Sequence, residues 1–262
     1  MWLLTRRLPF WKRRAARPFL TAEWTNVVLV NYRVPPALLL PHVPPGSELD
    51  TPDGDPALHL VSLVAFHFGQ TRVYGLPIPG ARHFPEVNLR FYVRRGPMRA
   101  TVFLREYVPV PVVVLGARLL YQQPYGRAAI THDVRRDGID GDHLTVHTTF
   151  ANRAHLGEIR LRARNEPTTP PTTSEEHILK EHYWGFDRTR SGSSFRYRVA
   201  HPVWRTFPVE SAEVTIDPGL LLGGDWRSVD RSAVRRSVLF AEGSAAIVYE
   251  AEPLIDATER LP

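Results

Sequence analysis

Cysteine is absent from this chain of 262 residues, and lysine occurs only at Lys12 and Lys180. Without cysteine the protein can form no disulfide, offers no thiolate ligand to a metal and has no cysteine nucleophile. Two lysines leave few candidates for a reaction that needs a nucleophilic amine. Arginine therefore carries nearly all of the positive charge.

Long hydrophobic runs are also missing. A membrane-spanning helix needs about twenty consecutive apolar residues, and a secretory signal needs an uninterrupted apolar core with a small-residue cleavage site. The first seventeen residues contain neither, because six basic residues interrupt their apolar side chains. We expect a cytoplasmic protein, with a peripheral membrane contact through residues 1–17 as the open alternative.

Motifs for the common cofactors and nucleophiles are not present. The sequence has no P-loop, no G-x-S-x-G elbow and no G-x-G-x-x-G between a strand and a helix. His143 and His147 have a ligand-like separation but lack the glutamate of the H-E-x-x-H zinc motif, and the residues between them read as a strand. The sequence predicts no cofactor and no metal.

The net charge of +6 lies at one end of the chain. The 33 basic residues exceed the 27 acidic ones by the six that lie in residues 1–17, so the remainder of the chain is formally neutral. A neutral body argues against nucleic acid as a partner. The same segment contains Trp2 and Trp11, which leaves two interpretations open: a basic aromatic anchor on an anionic membrane surface, or a tail packed on the body.

The composition suits one globular unit. With 43% hydrophobic and 10% aromatic residues, the chain has enough apolar material to fill a core. We expect an N-terminal arm over residues 1–20 and a single domain over residues 21–256. The oligomeric state is left open, with a homo-oligomer among the alternatives.

Residues 84–125 form the most informative stretch. Val87, Leu89, Phe91 and Val93 alternate with Glu86, Asn88, Arg90 and Tyr92, which is the period of a strand with one face in a hydrophobic core. A second alternating run follows a turn, and the apolar segment after it predicts a helix from Pro111. The polar row on the first strand makes this stretch the expected location of a site.

The remaining patterns predict mainly strands. Roughly ten β-rich segments against two or three short helices indicate an antiparallel sheet that closes toward a barrel. Thr173 and Glu176 stand at the spacing of a capping box, which predicts a short helix ending near His182. Lys180 follows Glu176 by four residues, the spacing of a surface ion pair.

Several segments together carry a resemblance to a known family. They are Phe84–Val93, Ala117–Arg118, Gln123–Tyr125, Glu181–Trp184 and His201–Trp204. With them the chain resembles the YqjF-like family of uncharacterised conserved proteins, which is similar to a branch of the acetoacetate decarboxylase superfamily. The resemblance extends from about Glu23 to Glu252. It implies an α+β fold, mostly antiparallel, with a closed or partly closed decarboxylase-like β-barrel and two or three short helices.

The resemblance also implies which chemistry is missing. Acetoacetate decarboxylases form a Schiff base through a lysine that follows a Gly-Arg-Glu element within Pro-Lys-Lys. Arg118 and Pro124 reproduce the arginine-to-proline spacing, but Tyr125 and Gly126 occupy the lysine positions. A phenol cannot form an imine. The decarboxylase arginine ahead of the first strand is also missing from residues 21–26, whereas Glu86 matches the pocket glutamate.

The predicted site therefore centres on Glu86, Arg118 and Tyr125. If the protein is an enzyme, we expect Glu86 to act as acid or base, Arg118 to anchor a carboxylate and Tyr125 to donate a proton. The additional ligand-binding candidates are Asn88, Arg90, Tyr121, His182, Trp184 and Trp204. The expected ligand is a small organic acid or ketone, bound without catalysis or converted by lyase-like or hydrolase-like acid/base chemistry.

Two alternatives remain at this level. Glu86 and Arg118 could form a buried ion pair that braces the barrel while Tyr125 fills space, because buried charges must be paired with or without a ligand. The protein could also be a non-catalytic scaffold that uses its Trp/Arg arm at a membrane surface.

Overall fold

The computed structural model describes residues 17–51, 59–120, 124–153, 155–188, 194–228 and 235–254. The α-helices are α1 (Pro111–Leu120), α2 (Glu175–Lys180) and α3 (Pro218–Leu222). Short 3-10 helices span Pro36–Leu38, Leu40–His42, Ile139–Gly141 and Gly224–Ser228. The strands are β1 (Pro18–Val34), β2 (Glu48–Leu49), β3 (His59–Val73), β4 (Leu76–Pro77), β5 (Phe84–Arg95), β6 (Met98–Val108), β7 (Tyr125–Arg127), β8 (Ala129–Asp137), β9 (His143–Ala151), β10 (Leu156–Arg164), β11 (Trp184–Arg188), β12 (Ser194–Ala200), β13 (Thr206–Phe207), β14 (Val209–Val214), β15 (Arg235–Tyr249) and β16 (Glu252–Pro253).

Seven strands of the larger sheet close into a ring in the order β15, β1, β3, β5, β6, β11, β12 and back to β15. Long antiparallel ladders join β15, β1, β3, β5 and β6. The closure is short, because β12 meets β15 only at Val199↔Val248 and Ala200↔Ile247. A single parallel pair, Gly185↔Thr101, joins β11 to β6. The predicted class, a mostly antiparallel α+β fold with a partly closed barrel, is confirmed.

A second sheet covers one side of the ring. It has the order β14-β10-β9-β8, and β8 and β9 form a hairpin through residues 138–142. Its inner side chains, including Val146, Phe150 and Ile159, share one buried cluster with side chains of β1, β3 and β5. This hydrophobic core holds the two sheets together. The inner face of the ring is not part of it.

The alternation predicted for β5 matches this arrangement. Val87, Leu89, Phe91 and Val93 are fully buried in the core between the sheets. Phe84 and Tyr92 belong instead to a second buried cluster, which lies on the inner face of the ring. Because successive side chains of a strand point to opposite faces, Glu86, Asn88 and Arg90 also project into the ring.

The helices agree with the sequence except in one detail. Helix α1 begins at Pro111, as predicted. Helix α2 is capped by Ser174, whose side chain accepts a hydrogen bond from the backbone N–H of His177 at 3.2 Å, and not by Thr173. The capping-box prediction was therefore one residue out of register.

The N-terminal arm falls largely outside the described part of the chain. Residues 1–16 are not described, and β1 begins at Pro18, within the last residues of the segment assigned to the arm. In the described ranges, no helix is long and apolar enough to cross a membrane.

Candidate functional site

The ring encloses a cavity of about 440 Å³. Side chains from β1, β3, β5, β6, β12 and β15 line it, together with residues of α1 and α2. Its polar lining includes five of the residues predicted from the sequence. These are Glu86, Asn88, Arg90, Tyr125 and His182, and the predicted Trp204 lines it as well.

Glu86 is 2% exposed, and two side chains hold its carboxyl group. Its Oε1 accepts a hydrogen bond from Asn88 Nδ2 at 2.9 Å, and its Oε2 accepts one from the Tyr125 hydroxyl at 3.1 Å. Burial raises the pKa of Glu86 to about 7, although these two hydrogen bonds and the nearby Arg90 act in the opposite direction. The group can therefore gain or lose a proton near neutral pH.

A second carboxyl group reaches the cavity because β6 contains a bulge. Leu89 pairs with Arg105, but the next residue of β5, Arg90, pairs with Phe103, so β6 has one extra residue at this point. The bulge changes which face the later side chains occupy. Thr101 and Phe103 face the cavity, and so does Glu106. In a strand that alternates strictly, Glu106 would point to the opposite face, into the core between the sheets.

Glu106 is 5% exposed and has the more strongly perturbed acidity of the two carboxyls. Burial, and then the negative charge of Glu86, raise the pKa of Glu106 well above its usual range. Glu106 interacts with the Tyr125 hydroxyl, and its Oε2 has no hydrogen-bond partner among the described residues. Both influences favour the protonated form of this carboxyl group.

Tyr125 connects the two carboxyl groups. It begins β7, which pairs in parallel with β6 so that Tyr125 lies opposite Glu106. Burial and the two neighbouring carboxyls raise the pKa of Tyr125 well above its usual range, so the phenol keeps its proton and acts as a donor. Glu86, Glu106 and Tyr125 form a single proton-sharing cluster, called here the carboxyl cluster.

Basic and neutral polar groups lie on the α2 side of the cavity. Arg90 donates from Nη2 to the Leu179 carbonyl at 3.1 Å. His182 packs on the Tyr92 ring with 4.7 Å between centroids, and burial followed by the charges of Arg90 and Arg99 lowers its pKa to about 3. His182 is therefore a neutral imidazole, and Arg90 supplies positive charge beside the carboxyl cluster.

Comparison with known proteins gives the family. A family model described as an uncharacterised conserved protein, DUF2071, matches residues 21–245. The chain belongs to the DUF2071 family. It is also 30% identical over 200 residues to the uncharacterised protein YqjF of Bacillus subtilis strain 168, an alignment that covers 74% of this chain and 77% of YqjF.

Solved structures similar to this DUF2071 chain have the acetoacetate decarboxylase-like fold. The enduracididine biosynthesis enzyme MppR, complexed with pyruvate, superposes with a TM-score of 0.65 at 15% identity and covers 94% of this chain and 93% of its own. Acetoacetate decarboxylase from Legionella pneumophila gives a TM-score of 0.61 at 14% identity, with coverage of 97% and 94%. At these identities the comparison establishes the fold.

Three predicted site residues of the DUF2071 chain are not placed at the cavity. Trp184 packs against the core between the sheets, and the Arg196 guanidinium lies 5.2 Å from its ring. It points away because it shares a strand face with Phe186, which is fully buried in that core. Arg118 lies on α1, but its side chain is outside the described part of the structure, as is the whole of Tyr121.

The prediction for Lys180 was wrong. It is 2% exposed and lines the cavity, and its Nζ lies 2.5 Å from Glu181 Oε1. Glu176, the expected partner, instead accepts a hydrogen bond from the Thr206 hydroxyl at 3.3 Å. The i, i+4 rule applies to exposed helix surfaces, whereas α2 ends at Lys180 and directs it into the ring.

Tyr197 is a lining residue that the sequence prediction missed. It follows the alternation Phe195, Tyr197, Val199 on β12, and all three line the cavity, so strand period was a usable signal. Its pKa is raised well above the usual range by burial and by the carboxyl cluster. Gly185 on β11 makes room for it, because a Cβ at that position would lie 2.2 Å from the Tyr197 ring.

The described residues contain no group of three or more His, Asp or Glu side chains that could hold a metal ion. The polar groups that line the cavity are carboxyl, phenol, hydroxyl, amide, guanidinium, imidazole and ammonium groups.

Proposed function

We propose that the cavity binds a small organic acid or ketone and that Glu86 exchanges a proton with it. The observation that carries this proposal is the environment of Glu86, a buried carboxyl with a pKa of about 7 that faces a cavity. A general acid or base works best when its pKa is near the working pH. Fully buried carboxyls with strongly shifted pKa values are concentrated at functional sites.

Unused polar atoms support a ligand with oxygen atoms. Asn88 Oδ1 and Glu106 Oε2 belong to side chains that are 3% and 5% exposed, and neither atom has a hydrogen-bond partner among the described residues. Buried polar atoms are normally paired, so Glu106 Oε2, when protonated, can donate to a ligand oxygen, and Asn88 Oδ1 can accept from an O–H group of the ligand. Arg90 adds a positive charge that favours a carboxylate. A structural neighbour, MppR, was solved in complex with pyruvate, which is a ligand of this class.

The proposed step is proton removal next to a carbonyl group. Ionised Glu86 takes the proton, and the electrons of the broken C–H bond form the C=C bond of an enolate. The enolate oxygen accepts a hydrogen bond from protonated Glu106, while Tyr125 donates to Glu86. Return of the proton from Glu86 restores the ketone, so no further reactant is needed.

The proposal uses no imine. Lys180 reaches the cavity, but its ammonium group is paired with Glu181 at 2.5 Å, and an ion-paired ammonium is not a nucleophile. Tyr125 and Gly126 stand where the resemblance places the decarboxylase lysines. We expect borohydride added with a 2-oxo acid to leave the protein mass unchanged, and an adduct on Lys180 would overturn this part of the proposal.

Deuterium exchange tests the proton transfer. In D₂O, we expect the protein to accelerate exchange at the carbon next to the carbonyl of at least one member of a panel of ketones and 2-oxo acids, followed by proton NMR. Glu86→Gln should lower the rate by about a hundredfold or more, the usual range for a general base. Exchange no faster than in buffer, or equal in the variant, would contradict the proposal.

Two further variants make the exchange experiment specific. Tyr125→Phe should raise the pH at which activity reaches half its maximum, because the hydrogen bond from Tyr125 lowers the pKa of Glu86. Glu213→Gln is the matched control, since Glu213 is exposed on β14 in the other sheet. We expect the control to behave as wild type.

A further inference from the structure

The larger part of the cavity wall is apolar and aromatic. Trp24 lies with its ring centroid 5.9 Å from those of Phe66 and Phe68, and Phe68 stacks on Phe84 at 4.7 Å. All four side chains line the cavity and are called here the aromatic wall. The wall offers no hydrogen bonds to the body of a ligand except through the single indole N–H of Trp24.

The aromatic wall adjoins the carboxyl cluster directly. Phe66 on β3 is the register partner of Glu86 on β5, and Phe84 lies two residues before Glu86 on the same strand face. Paired residues of antiparallel strands have Cβ atoms about 5 Å apart. A ligand whose carbonyl group reaches Glu86 therefore has aromatic rings within reach of its substituents.

The cavity is larger than a small oxo acid requires. Its volume of about 440 Å³ lies within the range that holds drug-sized molecules. A three-carbon acid would leave most of the apolar surface in contact with water, which is unfavourable.

We propose that the ligand is a carbonyl compound with a hydrophobic body, either a medium-length alkyl chain or an aromatic group, which packs on the aromatic wall. This inference rests on the proposed function for its polar end and adds the substrate class. The carbonyl end meets the carboxyl cluster, and the body extends along the aromatic wall toward α1.

Gly116 of α1 gives a direct way to shorten the cavity. It lines the cavity, and a Cβ at this position would have no atom within 4 Å. Its backbone is helical, so replacement of glycine there removes no special conformation and favours the helix. A large side chain at position 116 can therefore occupy space that a ligand body would use.

A chain-length series tests the inference on the wild-type protein. The probes are pyruvate, 2-oxobutanoate, 2-oxohexanoate, 2-oxooctanoate and 2-oxodecanoate, with phenylpyruvate as the aromatic member, and binding is measured by calorimetry. Each buried methylene should increase affinity by about fourfold until the cavity is full. Equal affinity along the series, or tightest binding of pyruvate, would overturn the inference.

Variants at position 116 locate the body. Gly116→Phe should remove most of the affinity gain for the longest members, whereas the matched Gly116→Ala should retain it. If the phenylalanine variant keeps the full chain-length dependence, the body lies elsewhere and the inference fails. The wild-type series decides the question even if the phenylalanine variant does not fold.

Failure of this inference can be told apart from failure of the proposed function. If affinity does not change with chain length but deuterium exchange depends on Glu86, only the proposal of a hydrophobic ligand body is refuted. If affinity rises with chain length but no deuterium exchange occurs, the hydrophobic ligand body is supported and the proposed proton transfer is refuted. Straight-chain alcohols of matched length are the control: if they bind as tightly as the oxo acids, the polar end does not recognise a carbonyl group and the inference falls, while deuterium exchange still decides the proposed function.

Discussion

The acidity of Glu86 is set by its surroundings and not by its residue type. Three features of its environment act on the carboxyl: burial, two hydrogen bonds and a neighbouring guanidinium, and burial is the largest. The same fold could hold the group ionised if Arg90 were closer or if water reached it. The chemical role of this residue is therefore decided by distances that the sequence does not contain.

Glu86 should make the stability of the protein depend on pH. Its pKa is about 7 in the folded protein against an ordinary value of 4.5. A raised pKa means that the folded state binds the proton more tightly, so this contribution to the free energy of unfolding is fully present below the ordinary pKa and is lost as the pH rises to about 7. The loss is on the order of 3 kcal/mol.

Urea unfolding of wild type and Glu86→Gln across this pH range checks the prediction. The variant cannot ionise, so we expect its free energy of unfolding to fall less steeply with rising pH than that of wild type. A constant difference between the proteins, caused by the altered hydrogen bonds, does not affect the slope. Parallel curves would show that Glu86 ionises in the folded protein as it does in water.

At the scale of the element, the bulge in β6 has the largest consequence for the site. One extra residue places Glu106 on the cavity face, beside Glu86 and opposite Tyr125. Without the bulge, the second carboxyl group would be in the hydrophobic core between the sheets. A local irregularity in hydrogen bonding thus creates the paired carboxyls on which the proposed chemistry depends.

The N-cap of α2 is a second feature of this scale. Ser174→Ala should destabilise the protein by about 1 kcal/mol, because the N–H of His177 loses its side-chain acceptor. Thr173→Ala is the matched control, since Thr173 is exposed and, as the residue before the cap, should contribute within about 0.5 kcal/mol.

The midpoints of urea unfolding for these two variants show which residue caps α2, Ser174 as in the structure or Thr173 as the sequence predicted. From the structure we expect the larger loss of unfolding free energy at Ser174, whereas the capping-box pattern predicts it at Thr173. A loss at Thr173 with none at Ser174 would mean that α2 begins one residue earlier. The position of α2 matters for the site because the helix carries Lys180 to the cavity.

At the scale of the whole molecule, the two buried clusters differ in how completely they are packed. The core between the sheets is filled with apolar side chains and supplies most of the hydrophobic stabilisation. The interior of the ring is only partly filled, because it contains the cavity. The fold thus separates a part that is filled with apolar side chains from a part that contains a cavity.

The contribution of the core between the two sheets to stability can be tested at Phe150. This residue is fully buried on β9 and contacts the Tyr107 ring edge-on with 5.2 Å between centroids. Phe150→Ala should lower the free energy of unfolding by about 3–5 kcal/mol. Leu156→Ala on the neighbouring strand is the control, because Leu156 is 76% exposed and should cost less than about 0.5 kcal/mol.

Tryptophan fluorescence reports whether ring and second sheet unfold together. Trp24 and Trp204 line the ring cavity, whereas Trp184 and Trp226 pack in the core between the sheets, so the fluorescence is recorded in a background in which the other four tryptophans are replaced by phenylalanine. If the chain is one cooperative domain, as we expect, their unfolding midpoint shifts with Phe150→Ala. An unshifted tryptophan transition would show that the four-stranded sheet unfolds independently.

The sequence by itself determined the class of fold and the faces of its clearest strand. The period of two in residues 86–93 assigns the buried and polar faces of β5, because side-chain direction in a regular strand depends only on the local backbone. The same row contained Glu86, Asn88 and Arg90, and the resemblance added Tyr125. The missing cysteines excluded disulfides and thiolate chemistry without any structure.

Only the tertiary structure decided where these residues lie and which groups surround them. Glu106 reaches the cavity through a bulge, Lys180 is buried by the direction of α2, and Trp184 turns to the other core. Each of these depends on which strand or sheet lies opposite, and a local pattern carries no information about the partner. The shifted pKa values and the size of the cavity have the same origin, because burial and enclosed volume are properties of many segments packed together.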